Sequence, residues 1–330
     1  MFDFRRAEHG TALLVKVALL ILGAGMFSTG CHNESARTIA FIPRTTGTTL
    51  WEPAHAGAEI ASRSTNTKIY WNAPTREDDV EGQIALVESV IDRGYQGLVL
   101  APDQSRALIS PVRRALSGGL PVVIISSPLP IPAAGKLSYI VSDEEEGGQM
   151  AALRIGELLD RRGSVAVLGI NPDVIGIMTR ARSFEAALAR NYPQIRIVER
   201  RLGSFNLPHD QQVAEETLRA NPNLDAIVAL TSASVRGTCT ALGRQSQHKP
   251  KVVGFDESPS FALGRYPELD SLITQNTHEM GLRAVQTIAA QLAGETVPGE
   301  IKLKPVLVTQ ENLESPEVNE MLSMDWRPHP

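Results

Sequence analysis

Several things are scarce in this sequence. Only two of its 330 residues are cysteine, Cys31 and Cys239, which excludes a disulfide framework. Positive charge is not in excess. The formal net charge is −5, whereas nucleic-acid binding usually demands a basic face, so no nucleic-acid partner is expected. The apolar run Val17–Phe27 is too short to cross a bilayer core of about 30 Å as a helix. No His-Glu-x-x-His, Cys-x-x-Cys, Gly-x-Ser-x-Gly or Walker A pattern occurs, and the histidines beyond the leader stand singly. Nothing in the sequence therefore supports an enzyme, a metal site or a cofactor.

What is present reads as a globular chain, with 42% hydrophobic and 21% charged residues. Arg5, Arg6 and Lys16 precede the apolar run, and Ser28-Thr29-Gly30-Cys31 follows it. This is a basic region, a short apolar region and a small-residue cleavage site. The pattern resembles a bacterial lipoprotein signal, cut before Cys31 with lipid then joined to its sulfur. Ser28 stands where such signals usually carry an aliphatic residue. Ordinary export and an uncleaved N-terminal helix are the alternatives. Residues 1–30 are thus expected to be a leader and 31–37 a tether. The protein is expected in the periplasm or at the cell surface, held to the membrane by lipid alone. His32 after the cysteine, rather than Asp, resembles signals for outer-membrane sorting. Cys239 would then lack a partner and is expected to be a buried, inert thiol in a helix.

The remaining chain suits two domains of about 150 residues. Short apolar runs alternate with amphipathic stretches. Strands are expected at 39–42, 68–71, 98–100, 122–125 and 140–141, with helices at 52–63, 78–92 and 105–117 between them. Ser142 is expected to cap a helix with Glu145 as its box partner, the acids at 143–146 favouring the positive end of its dipole. Arg161, Arg162 and Gly163 are expected to end it. A second series follows: strands at 164–168, 195–200, 226–230, 251–255 and 271–274, and helices at 178–191, 209–220, 234–246 and 278–293. Fully apolar strands separated by helices indicate parallel sheets covered on both faces. No Pro/Gly/Ser-rich join separates the two series, so a compact hinge is expected. Ligands of such sheets bind beyond the strands' carboxyl ends, which places the pocket between the domains.

Gly94-Tyr95-Gln96-Gly97 running into Leu98-Val99-Leu100-Ala101-Pro102, Leu120-Pro121-Val122-Val123, Ser142-Asp143 with Gly147-Gly148, Val252-Val253-Gly254-Phe255-Asp256 and Val308-Thr309-Gln310-Glu311-Asn312 occur in that order. Together they resemble the ribose-binding and lactose-repressor family of type I periplasmic binding proteins. The resemblance runs from Thr38 to Asn312. It implies two doubly wound, Rossmann-like α/β domains joined by a three-strand hinge. Residues 38–142 plus 277–303 would form the first and 143–276 plus 304–330 the second. The repressors' helix-turn-helix is replaced here by the export signal.

The resemblance also implies ligand residues. Trp51 would cover the apolar face of a sugar ring, or else pack at a helix start. Ser126 and Ser127 stand where the family often has an Asp-Arg pair. Arg180 would grip the ligand, with Arg182 as a solvated neighbour. Phe205 would line the pocket or join the core. Thr231 replaces a frequent Asn. Asp256 would bind ligand, cap a helix, or both, and Gln275 would bond from the hinge side. Such a pocket fits a sugar or a related polar molecule, a modified sugar better than a plain aldopentose. The implied function is capture of that solute by hinge closure, as a monomer, and delivery to an ABC importer's permease. A receptor presenting its closed form to a membrane sensor is the alternative, and an exported enzyme a distant one.

Overall fold

A computed structural model describes residues 37–244 and 248–325. The leader, most of the tether and the lipidation site expected at Cys31 lie outside these residues. The first part of the chain runs β1 (Arg37–Ile42), a 3-10 turn at Thr49–Trp51, α1 (Glu52–Ser64), β2 (Thr67–Trp71), α2 (Val80–Asp92), β3 (Gly97–Leu100), α3 (Ile109–Ser117), β4 (Val122–Ser126) and β5 (Leu137–Ser142). It continues through α4 (Glu144–Leu158), β6 (Arg162–Ile170), α5 (Ile175–Asn191), β7 (Gln194–Leu202), α6 (Leu207–Ala220), β8 (Ala226–Ala229), α7 (Ser232–Gly243), β9 (Lys251–Phe255), α8 (Pro259–Ala262) and β10 (Leu269–Thr274). The last elements are α9 (Thr277–Leu292), β11 (Glu300–Leu303), β12 (Val306–Thr309) and α10 (Pro316–Met321).

Two six-stranded sheets result, in the orders β2-β1-β3-β4-β5-β11 and β7-β6-β8-β9-β10-β12. All pairings are parallel except β10 with β12. Both sheets are doubly wound in the same order, which puts the point of reversal beside β1 in one and β6 in the other. The strands are apolar on both faces because helices cover both. Ile39 and Phe41 pack with α1 and α9, whereas Ala40 and Ile42 pack with α2 and α3. Val165 and Val167 meet α4 and α5, and Ala166 and Leu168 meet α6 and α7. Cys239 is buried in this last layer, where burial pushes its thiol up to about 12.

The chain passes between the sheets after β5, after β10 and after β11. The first and third passages are tied together where the Asp143 N–H donates to the Leu303 carbonyl, 2.8 Å away.

Four details differ from the sequence reading. The cap of α4 is Asp143, which accepts from the Glu146 N–H, while Ser142 closes β5. Arg162 and Gly163 open β6; the turn before it is made by Asp160 and Arg161, both at positive φ. Helix α3 starts at Ile109, four residues later than expected, because Ser105 is engaged elsewhere. β11 and β12 join the sheets as edge strands that the apolar pattern did not reveal. β11 alternates charged and apolar residues in Glu300-Ile301-Lys302-Leu303, as an edge with one wet face does.

Candidate functional site

The carboxyl ends of both sets of strands converge on one cleft. Three non-glycine residues there sit at positive φ: Ser126 (67°), Phe205 (58°) and Asp256 (59°). Side chains seldom adopt this conformation, and it concentrates at functional sites.

On the second lobe Arg180 is the centre of a buried network. It rises from α5, which approaches α4 closely because a Cβ on Gly148 would overlap the Arg180 carbonyl oxygen. Its Nε and Nη2 donate to the two carboxylate oxygens of Glu144 at 2.7 and 2.6 Å. Its Nη1 donates to the Leu230 carbonyl at 2.8 Å and to Asp256 Oδ2 at 2.6 Å. The other Asp256 oxygen accepts from Gln275 Nε2 at 2.8 Å, leaving Gln275 Oε1 without a partner. Burial works against the Arg180 charge, but Asp256 and Glu144 outweigh it and hold the guanidinium above its ordinary pKa. Bidentate geometry of this kind is the strongest form of charge-assisted hydrogen bond.

On the first lobe the centre is Arg44, just past β1 and buried. Its Nε donates to the Pro102 carbonyl at 3.1 Å. Its guanidinium carbon lies 5.9 Å from the Trp51 ring and 5.6 Å from the Phe205 ring, one from each lobe. Asp103, at the end of β3, is 1% exposed, and neither carboxylate oxygen has a hydrogen-bond partner. Burial pushes its carboxyl up to about 9; Arg44 opposes the rise, and Glu77, Asp79 and Asp78 add to it. Glu77, in the loop after β2, is raised to about 7, chiefly by burial, with Arg44 opposing and Asp256 and Glu257 adding. The Trp51 indole N–H is directed toward Glu77 without reaching hydrogen-bond geometry.

The cleft is closed. The Ser105 N–H donates to the Asp173 carbonyl at 2.8 Å. Asn206 Nδ2 donates to Asp78 Oδ2 at 3.3 Å. Helix α5 has no cap of its own, since its N-cap residue is Val174. Two hydroxyls of the other lobe cap it instead: Ser105 Oγ accepts from Ile175 N at 3.2 Å and Ser127 Oγ from Gly176 N at 2.9 Å. A lost cap typically costs about 1 kcal/mol. Each of Ser105→Ala and Ser127→Ala should therefore lower the closed-to-open ratio about fivefold. Small-angle scattering of the ligand-free protein would register this as a larger radius of gyration. An unchanged radius in the double variant would show that closure does not depend on these caps.

Between the lobes lies a cavity of about 220 Å³, bordered by Thr45, Thr48, Glu77, Phe205, Ser232 and Arg236. A larger hollow of about 570 Å³ lies at the end of α6, lined by Arg219, Asn221 and Arg244 among others. It is remote from the strands' carboxyl ends and gathers none of these buried groups.

Of the residues singled out in the sequence, Arg180, Asp256 and Gln275 are joined directly. Trp51 and Phe205 flank Arg44, so the indole face expected to carry a sugar ring carries a guanidinium. Ser126 Oγ is buried without a partner. Ser127 is engaged in the cross-lobe cap. Thr231 is the N-cap of α7 in a capping box with Ser234, its Oγ accepting from Ser234 N at 3.1 Å. Arg182 is exposed. Sequence reasoning missed Arg44, Glu77, Asp103 and Glu144. Arg44 and Asp103 lie in the loops just past the apolar strands β1 and β3, a place that many charged residues of the chain share. Glu144 was hidden in an acidic run that reads as a helix start.

The family model for the periplasmic binding protein domain matches residues 39–296. The chain belongs to the periplasmic binding protein family. This periplasmic binding protein is 29% identical to a D-apiose import binding protein of Paraburkholderia graminis, over 55% of this chain and 58% of that one. It is 24% identical to the D-allose-binding periplasmic protein of Escherichia coli, over 84% of this chain and 93% of the other. Its fold resembles an ABC transporter solute-binding protein of Agrobacterium vitis solved with α-D-tagatopyranose. The TM-score there is 0.80 at 24% identity, covering 86% of this chain and 98% of that one.

Proposed function

We propose that this protein captures a sugar or sugar-like solute between its two lobes and delivers it to an ABC importer. The supporting observation is a set of buried polar atoms without partners on residues at or beyond the strands' carboxyl ends: Asp103 Oδ1 and Oδ2, Gln275 Oε1, Ser126 Oγ and Trp51 Nε1. A buried polar group left unsatisfied costs about 1–3 kcal/mol. A ligand rich in hydroxyls, bound as the lobes close, would satisfy several at once. Residues 38–142 with 277–303 would move as one body against 143–276 with 304–330. Closure by ligand follows from contacts made to both bodies only in the closed form. The ligand set comprises Trp51, Ser126, Arg180, Phe205, Asp256 and Gln275, to which Arg44, Glu77 and Asp103 are added. Ser127 and Thr231 contribute by holding the closed lobes and the start of α7. Cys31 carries the lipid anchor, and the protein works in the periplasm with a permease as its partner.

The test is calorimetry on the full-length protein in mild detergent, with ribose, allose, apiose, arabinose and xylitol. At least one should bind, and Asp103→Ala should weaken it by at least tenfold. Failure of every sugar and sugar alcohol to bind would overturn the reading.

A further inference from the structure

The buried carboxyls of the cleft outnumber its guanidiniums. Arg44 and Arg180 face Glu77, Asp103, Glu144 and Asp256, all buried. Arg180 is already committed to Glu144 and Asp256. Glu257 has Arg236 at 3.6 Å and the Ser232 hydroxyl at 3.1 Å. That leaves Arg44 to serve Glu77 and Asp103, and its Nε is bonded to a carbonyl instead. Both Asp103 oxygens remain bare. Once Asp103 ionises, the orphaned atoms are acceptor-rich as well: two carboxylate oxygens and one amide oxygen, against one obligate donor, the Trp51 indole N–H.

A neutral polyol can donate hydrogen bonds to these acceptors but brings no positive charge. An ammonium brings three donors and a positive charge that can take the place of a carboxyl proton, in a buried place where charge-assisted hydrogen bonds are about twice as strong as neutral ones. We propose that the preferred ligand is an amino-bearing polyol, a sugar or sugar alcohol with one hydroxyl replaced by an ammonium, and that this ammonium rests against Asp103 and Glu77. This deepens the sugar-capture reading and rests on it. The remaining hydroxyls would meet Gln275, Ser126 and the indole N–H.

One consequence is proton release. Glu77 and Asp103, raised to about 7 and about 9 in the empty cleft, are held there under the influence of Arg44 beyond β1, Asp78 and Asp79 before α2, and Asp256 and Glu257 beyond β9. An arriving cation favours their ionised forms. Binding at pH 7 should release about one proton per ligand.

The experiment is calorimetry at pH 7 on the full-length protein in mild detergent, in two buffers of different ionisation enthalpy. The probes are matched pairs: glucosamine with glucose, galactosamine with galactose, mannosamine with mannose, and glucamine with sorbitol. Ribose, allose and xylitol are run beside them. At least one amine should bind tenfold or more tighter than its hydroxyl twin, with proton release. Asp103→Asn and Glu77→Gln should each remove most of that preference, weakening the amine at least fivefold more than its hydroxyl twin. Circular dichroism establishes that each variant is folded, and either position alone suffices. Hydroxyl twins that bind as tightly as their amines, or ribose, allose or xylitol binding while no amine does, would overturn the amine and leave sugar capture standing. Silence across the whole panel would overturn both.

Discussion

Arg180→Ala should unfold far more readily than the parent protein, by about 3–5 kcal/mol, the usual consequence of removing one partner of a buried ion pair. The reason is what remains. Glu144 and Asp256 are each about 7% exposed in their side chains and would face one another with no cation between them. The Leu230 carbonyl would lose its donor as well. For a lobe of about 150 residues this lowers the thermal midpoint by about 10–15 °C. Arg180→Lys should recover only part of the loss, because an ammonium cannot span both oxygens of Glu144 while reaching Asp256. Differential scanning calorimetry distinguishes the cases. A drop of less than about 1 kcal/mol in Arg180→Ala would mean that the network contributes little to the fold.

Asp103→Asn should have the opposite effect on the empty protein. A carboxyl raised from 3.8 to about 9 on folding makes the folded state bind a proton that the unfolded state has shed. Stability linked to Asp103 is therefore fully present below pH 3.8 and declines as pH rises toward 9. Asparagine has the same shape and no proton to hold. The variant should gain about 1–3 kcal/mol at pH 8, the range for a buried unsatisfied group. The gain should shrink toward zero as pH falls to 4. Denaturant titrations of both proteins at pH 4, 6 and 8 measure it. A gain that is the same at every pH would place its cause outside this carboxyl. The same substitution should weaken binding of the proposed amine, which would set stability and function against each other at one residue.

The fold was legible because its strands are extreme. Val122-Val123-Ile124-Ile125 and Ala226-Ile227-Val228 are apolar on both faces and fit only a covered parallel sheet. The edge strand β11 was not, since it keeps one face toward water, and β12 is a run of only four residues. In the site, Asp256, Arg180 and Gln275 could be picked out by their place in recurring motifs. Arg44, Asp103 and Glu77 could not be ranked above the many other charged residues, because what sets them apart is burial. Burial is a property of the closed pair of lobes and not of any local stretch. Glu144 shows the same limit from the other side. Its neighbours Glu145 and Glu146 serve the helix dipole at the surface, and only the closeness of α4 and α5 at Gly148 turns Glu144 inward to Arg180.

The cross-lobe caps on α5 bear on how such a protein diversifies. Ser105 and Ser127 bind main-chain N–H groups, so the second lobe contributes no side-chain identity to this contact. At Gly176 the space is tight, with Ser127 Oγ 3.2 Å from where a Cβ would lie; Asp173, Val174 and Ile175 meet no such demand from these bonds. Substitutions that retune the second lobe for a new solute can therefore accumulate while the closing motion is inherited intact. Descendants with different diets could share one hinge.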